Sequence, residues 1–381
     1  MRFEDAWVRA TPIRNPDSLR GIINQSRRRS KFKLRYNLPV STNEPLRLGL
    51  IGLGQVVTLR HLPALKKLAQ YKIIAAADID SARGQRVAAQ YAIPRVVSDA
   101  RAVLEMPDVE AVAICTPPAT HAALLRAALD AGKYVFVEKP LTLEVADADT
   151  LENLTNADTR VLVGFNLRHH AEIQRARAWL RAGRIGKIRA VHTTLTNVHE
   201  PADHAEWRRD PAHGGDMLFE MGVHHFDICR YLCDAEILDL RAHEALAQNH
   251  AAVLSVQARL SSDILATCVI GEDLVGHNSI ELLGDRGRMV ISCYRFDGLY
   301  VYPRGAFDGG MGLRLQHARE MLSVLPRAFS EQRNGGMYVS SYRREWEHFF
   351  QVVRHHAAPL AAVRDGAAAT RAARAARASL Q

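Results

Sequence analysis

Leu46-Arg47-Leu48-Gly49-Leu50-Ile51-Gly52-Leu53-Gly54-Gln55-Val56-Val57 is the most informative stretch of this 381-residue chain. Leu46 to Leu53 reads as a short buried strand, and the leucines that follow, at 59, 62, 65 and 68, recur at helical spacing. Gly52 and Gly54 therefore fall where a strand turns into a helix. A dinucleotide needs glycine there, because the turn is tight, the backbone must approach the pyrophosphate, and the helix N-terminus offers free N–H groups. Gln55 and Val56 are candidate contacts to the same phosphates. Two glycines alone also fit a tight turn with no ligand, and Val57 stands where the fingerprint has its third glycine.

The residues downstream give the turn its context. Lys72 to Asp78 reads as a second strand, with a helix from Ser81, a strand at Val109 to Cys115, a helix from Thr120 to Ala131, and a strand at Tyr134 to Val137. A helix at Leu143 to Asn156 and a strand at Val161 to Phe165 complete the series. Strands alternating with helices of this length imply a parallel sheet covered on both faces, a Rossmann dinucleotide-binding domain over 46–167. Asp78 ends the second strand 24 residues after Gly54, where an acid accepts ribose hydroxyls. Its other reading, beside Asp80, is a helix N-cap. An acid there repels a 2′-phosphate and favours NAD over NADP, while Arg83 keeps NADP possible.

After residue 167 the rhythm changes. A helical stretch at Ala171 to Ala182 leads into alternating segments at 188–198, 237–244, 251–260, 264–271, 279–283, 288–293 and 298–302, with one helix inserted near 217–233. That pattern predicts a second α/β domain, 168–381, built on an open, mostly antiparallel sheet. Residues 305–340 are Gly-rich and give no assignment; the end reads as helices at 342–355 and 365–379.

Residues 1–45 form a basic arm punctuated by prolines at 12, 16, 39 and 45. The formal charge of +9 is uneven: residues 1–46 carry a net +6, residues 357–381 a net +3, and the body between them is balanced. A basic globular body, the usual mark of nucleic-acid binding, is thereby disfavoured. Arg27-Arg28-Arg29-Ser30-Lys31 in the arm leaves open a contact with nucleic acid or an anionic surface. No run of 18 apolar residues exists, and the start lacks the basic-then-apolar order of a secretory signal, so a cytoplasmic protein is expected. Five scattered cysteines without a CxxC pair suit buried, reduced thiols.

Two further signals lie at strand ends, where ligands of such sheets bind. Thr116-Pro117, followed by His121, is one. Glu138-Lys139-Pro140 is the other: a proline holds the preceding lysine extended, so that its amine leaves the sheet edge. Beside a nicotinamide and partly desolvated, that amine has a lowered pKa and can move a proton; a solvated strand-end lysine is the plain alternative. On a helix further along, Glu220, His224 and Asp227 are spaced i, i+4, i+7 and share a face. A carboxylate one turn from a histidine can orient its ring. A metal site is the weaker reading, because no second ligand cluster accompanies these three, and none is expected.

In this order and spacing, Gly52/Gly54, Asp78, Thr116-Pro117 and Glu138-Lys139-Pro140 resemble the Gfo/Idh/MocA oxidoreductases. The likeness continues through Gly164-Phe165-Asn166-Leu167-Arg168, Trp207-Arg208 to Gly214-Gly215, and Glu220 to Asp227, and covers roughly residues 46–380. The resemblance implies hydride transfer between nicotinamide and a sugar, cyclitol or nucleotide-sugar alcohol. It implies Lys139 as the catalytic lysine and His224 as the histidine that binds or deprotonates the hydroxyl. Glu220, counted with them, replaces the family's usual aspartate, and Asp216 replaces a third glycine. Thr116, Pro117, His121 and Glu138 are then expected near the cofactor, and Asn166, Arg168 and Asp227 near the substrate. A homodimer or homotetramer through the open sheet is expected. The alternative is a dinucleotide-binding sensor or scaffold of the same fold without catalysis, motivated by Glu220 and Val57.

Overall fold

The run at 46–51 is apolar at every inward position because it becomes β1 (Leu46–Ile51), a central strand with helices packed on both its faces. Leu46, Leu48, Leu50 and Ile51 are at most 1% exposed. The structure is a computed structural model that describes residues 44–197, 215–246, 252–272, 274–295, 297–306, 310–333 and 335–380. The basic arm and the Trp207 to Gly214 part of the resemblance lie outside the described residues.

The first sheet is all parallel, in the order β3-β2-β1-β4-β5-β6. Its other strands are β2 (Tyr71–Ala77), β3 (Val96–Val97), β4 (Ala111–Ile114), β5 (Tyr134–Val137) and β6 (Val161–Val163). Between them run α1 (Leu62–Leu65), α2 (Ser81–Tyr91), α3 (Ala100–Leu104), α4 (His121–Asp130), α5 (Val145–Glu152) and α6 (Ala157–Arg160). The order reverses at β1, where β2 lies on one side and β4 on the other. The crevice beyond the strand ends at that point is where such sheets take ligands.

The chain then forms α7 (Ala171–Arg181), β7 (Ile188–Asn197) and α8 (Val223–Cys233). Six more strands complete a second sheet: β8 (Ile237–Leu246), β9 (Ala252–Leu260), β10 (Ile264–Glu272), β11 (His277–Gly284), β12 (Gly287–Ser292) and β13 (Leu299–Pro303). Its order is β13-β12-β11-β7-β10-β9-β8, antiparallel except for β7 with β10. The register explains its two faces. One cross-strand row, Val301, Met289, Leu282, Val191, Ala266 and Ala258, is buried; the neighbouring row holds Arg288, Leu283, Ala190, Leu265 and Arg259, with Leu265 61% exposed.

Three helices close the chain: α9 (Met311–Arg333), α10 (Met337–His355) and α11 (Val363–Ser379). The first fills most of the region that gave no assignment. It does so with apolar residues on its solvent side, Leu315, Leu322 and Phe329 among them, and with Pro326 inside it, which erases a one-faced helical signature. The other two return to the parallel sheet: α10 packs on α1, and α11 packs on α5 and α8. Gly366 lets α11 approach the loop after β5, since a Cβ there would stand 2.7 Å from Leu141 Cβ. Among the described residues, no helix is long and apolar enough to cross a membrane.

Candidate active site

The turn after β1 is built for close approach. Gly52 has φ +85°, and a Cβ on it would lie 2.7 Å from the Cys115 carbonyl oxygen, so no other residue fits without strain. Gly54 differs: nothing lies within 4 Å of the place a Cβ would take, so space is left beside the backbone where a pyrophosphate would approach. Gln55 and Val56 open the helical stretch 55–65, whose middle, Val57 to His61, is π-wound. Val57, at the place of the missing third glycine, is fully buried. These features fit a dinucleotide held by the backbone of residues 54–56.

Asp78 is 5% exposed and fully occupied within the chain. Its Oδ2 accepts from Leu53 N at 2.8 Å and Arg83 Nε at 2.9 Å; its Oδ1 accepts from Asp80 N at 2.8 Å and Arg83 Nη2 at 2.6 Å. Burial opposes its ionisation, but Arg83 and the two amides outweigh burial and hold the carboxyl below its usual range. The N-cap of α2 is Asp80, which accepts from Arg83 N, so the capping role considered for Asp78 belongs to its neighbour.

At the end of β4, Thr116 Oγ1 shares a 2.6 Å hydrogen bond with Thr120 Oγ1, and Pro117 O accepts from Thr120 N. His121 does not point outward. Its ring is fully buried, with Nδ1 2.8 Å from Pro140 O and Nε2 2.9 Å from Thr116 O, so it ties the two strand-end loops together. Burial pushes its pKa down despite both carbonyls. Glu138 is likewise turned inward, 7% exposed, with Oε1 2.8 Å from His61 Nε2 and Oε2 accepting from Lys139 N at 3.0 Å. Both side chains are thus engaged with protein partners within the chain.

Lys139 is half-buried and leaves the sheet toward α8, where its Nζ donates to the Glu220 carbonyl at 2.7 Å. His224 sits one turn further on, its ring edge-on to Phe165 with centroids 6.1 Å apart. Burial lowers its pKa well below the usual value, and the Lys139 ammonium lowers it further. Its Nδ1 is buried and has no hydrogen-bond partner among the described residues. Lysine, histidine and the Glu220 backbone thus meet over the ends of β5 and β6, two of them chemically competent to hold a proton.

Asn166, Arg168 and Asp227 are placed differently from the expectation. Asn166 is 1% exposed and donates to Ser341 Oγ at 3.0 Å. Arg168 binds Asp227 through two bonds, Nε to Oδ2 at 2.8 Å and Nη2 to Oδ1 at 2.6 Å, and reaches Asp365 Oδ1 at 2.9 Å. Burial raises the Asp227 pKa, partly offset by Arg168. All three are buried and hydrogen-bonded within the chain. The π-wound turn at Leu218 to Gly222 precedes α8 and shifts the phase of the helix, so Glu220 and Asp227 do not line one uninterrupted α-helical face. His61, Trp346, Tyr342 and Arg83 are the side chains next to the site that carry no pattern of their own in the sequence, apart from the nearness of Arg83 to Asp78. Among the described residues, no group of three or more His, Cys, Asp or Glu is placed to hold a metal.

Comparison with known proteins gives two family matches: an oxidoreductase family with an NAD-binding Rossmann fold over residues 46–165, and the GFO/IDH/MocA C-terminal domain over 173–290. The chain is 31% identical to dTDP-3,4-didehydro-2,6-dideoxy-alpha-D-glucose 3-reductase of Saccharopolyspora spinosa over 65% of its own length and 75% of that protein. It is 30% identical to myo-inositol 2-dehydrogenase of Thermotoga maritima, over 52% of this chain and 58% of the relative. A solved structure of a probable dehydrogenase from Thermotoga maritima superposes with TM-score 0.69 at 25% identity, covering 88% of this chain and 97% of that one.

Proposed function

The chain belongs to the Gfo/Idh/MocA oxidoreductases, and from that premise we propose that it moves hydride between NAD and a ring alcohol or ketone of a sugar, cyclitol or nucleotide sugar. One observation carries the reading: Lys139 Nζ reaches the carbonyl one turn ahead of His224, so a strand-end ammonium and an imidazole held toward its neutral form act on one another at the strand ends. The names of the two relatives favour this substrate class.

When bound, the nicotinamide supplies the hydride acceptor or donor. His224, kept neutral by burial and by the nearby ammonium, takes the hydroxyl proton on its imidazole. The same ammonium makes that proton easy to release, because two positive charges then sit together. Lys139 exchanges the Glu220 carbonyl for the reacting oxygen and donates to it, steadying the negative charge that grows there. In reduction both groups donate to the carbonyl. Lys139→Ala should leave NADH affinity within about threefold and lower turnover by about 10²-fold or more, with NAD⁺ and a panel of inositols, hexoses and dTDP-glucose as probes. Full turnover in that variant sinks the assignment, and tight NADH binding without turnover of any probe by the unmutated protein favours a non-catalytic sensor.

Cofactor choice rests on Arg83. With all four acceptor positions of Asp78 engaged, ribose hydroxyls reach that carboxylate only when Arg83 swings aside, whereas Arg83 in place offers its charge to a 2′-phosphate. Titrating NADPH beside NADH reads the balance. The row that includes Leu265 and Leu283, the latter 44% exposed, supports a homo-oligomer through the uncovered sheet face. A monomeric mass by light scattering at micromolar concentration removes that part.

A further inference from the structure

His61 belongs to the helix after the glycine turn, yet its chemistry is directed at the lysine strand. The ring is fully buried in an aromatic box, with T-shaped contacts to Phe136 at 5.2 Å and to Tyr342 and Trp346 at 5.6 Å. Trp346 Nε1 lies 3.2 Å from His61 Nδ1. An indole N–H only donates, so Nδ1 is the acceptor and the proton sits on Nε2, which donates to Glu138 Oε1 at 2.8 Å. The second oxygen of Glu138 holds the Lys139 amide. Glu138 also fills the space beside Gly164, where a Cβ would come 3.2 Å from Oε2, one residue before the Phe165 ring that packs on His224.

An unbroken line of hydrogen bonds therefore runs from the indole of Trp346 through His61 and Glu138 to the peptide that orients Lys139. We propose that His61 is a positioning residue for the reaction: its Nε2 proton keeps the Glu138 carboxylate on the Lys139 amide and so fixes the direction in which the lysine leaves the sheet. Burying a histidine–carboxylate pair costs desolvation that an apolar pair would not. What it provides here is a direction for one peptide, and the two proton-handling groups depend on that direction to meet. The inference rests on Lys139 acting as proposed above.

The experiment uses the whole protein and the probe substrate that it turns over fastest. His61→Phe keeps a ring in the box and removes the donor; His61→Gln keeps a donor. For His61→Phe we expect a 10- to 100-fold fall in kcat, about what a 1 Å misplacement costs, with the NADH Kd within about threefold. Without its donor, Glu138 protonates more readily. The groups facing it are Lys139 from its own strand end, Cys115 from the end of β4, His121 from the start of α4, and Tyr342 and Glu345 from α10; burial keeps His121 toward its neutral form, so of these Lys139 is the charge that opposes that protonation. The kcat of His61→Phe should therefore rise with pH along a limb that the unmutated protein lacks, and His61→Gln should recover most of the rate. Equal losses in both variants with no new limb mean that His61 only fills space, and an unchanged kcat in His61→Phe likewise overturns the proposal. Trp346→Phe, which frees the tautomer but keeps a ring, is the second variant: a smaller fall of the same kind supports the line, and none overturns it. The result for Lys139→Ala is read separately, so loss of the catalytic assignment is distinguishable from loss of this one.

Discussion

At the scale of single residues, Glu345 carries the largest unmet demand in the core. It is 0% exposed, and neither carboxyl oxygen has a hydrogen-bond partner among the described residues. Burial raises its pKa well above the usual carboxylate value, and the Glu138 charge raises it further. Two interior carboxyls in mutual range cannot both ionise cheaply; Glu138, with His61 and the Lys139 amide as donors, keeps the charge. The linkage has a definite sign. A group whose native pKa is raised contributes fully below its unfolded pKa, and that contribution is lost as pH climbs through the native value. Glu345→Gln removes the titration and keeps the shape. The two proteins should be equally stable near pH 4, and the variant should gain about 1.4 kcal/mol for each pH unit above about 4.3 until the native pKa is passed. Urea midpoints across that range read the difference; parallel curves would mean that Glu345 is paired in solution.

At the scale of elements, the sequence was most readable where one physical pattern ruled. β5 is Tyr134–Val137 as its continuous apolar run implies, and β1, β2 and β4 differ from expectation only at their ends. The outward rows of the second sheet were visible as alternation. α9 was not, because its apolar residues face both ways. The site divides similarly. Lys139 and His224, the two groups of the proposed site, could be singled out because a strand-end lysine before proline and a histidine on a helix are local features. Arg168 and Asp227 were legible as charged residues but not as partners: the third member of their cluster, Asp365, is 197 residues from Arg168, and no local spacing reveals which buried charges neutralise one another. His61 lay hidden for the same reason, one of several polar residues in its helical stretch, whose meaning comes from Glu138, 77 residues on. α11 shows how such an element still acts on the site. Through Gly366 it presses on Leu141, and through Thr370 it bonds the Thr142 carbonyl, so the loop that carries Lys139 is braced from the C-terminus.

At the scale of the whole molecule, the chain closes on itself through α10. Arg354, its side chain 1% exposed, binds Glu110 at the entrance to β4 with bonds of 2.8 and 3.1 Å across 244 residues, while Arg47 N donates to the same carboxylate. The pair sits at the end of the parallel sheet away from Lys139, so it bears on stability and not on turnover. Burial opposes the Glu110 charge, but Arg354 and the Arg47 amide outweigh burial and lower its pKa. This sign is opposite to that of Glu345: the contribution is present above the unfolded pKa and is lost as pH falls through the native one. Glu110→Gln strands the buried guanidinium and should cost about 3–5 kcal/mol at pH 7, the usual penalty for removing one partner of a buried pair. Glu110→Gln combined with Arg354→Met should cost clearly less, because no charge is left unpaired, and both variants should lose the share of the acid-side decline that Glu110 contributes in the parent. Urea unfolding at pH 7 and near pH 3.5, with kcat measured alongside, decides the matter. A double variant as damaged as the single one would mean that Arg354 serves by packing on Phe350 rather than by pairing, and a fall in kcat without a fall in stability would tie this distant pair to the active site.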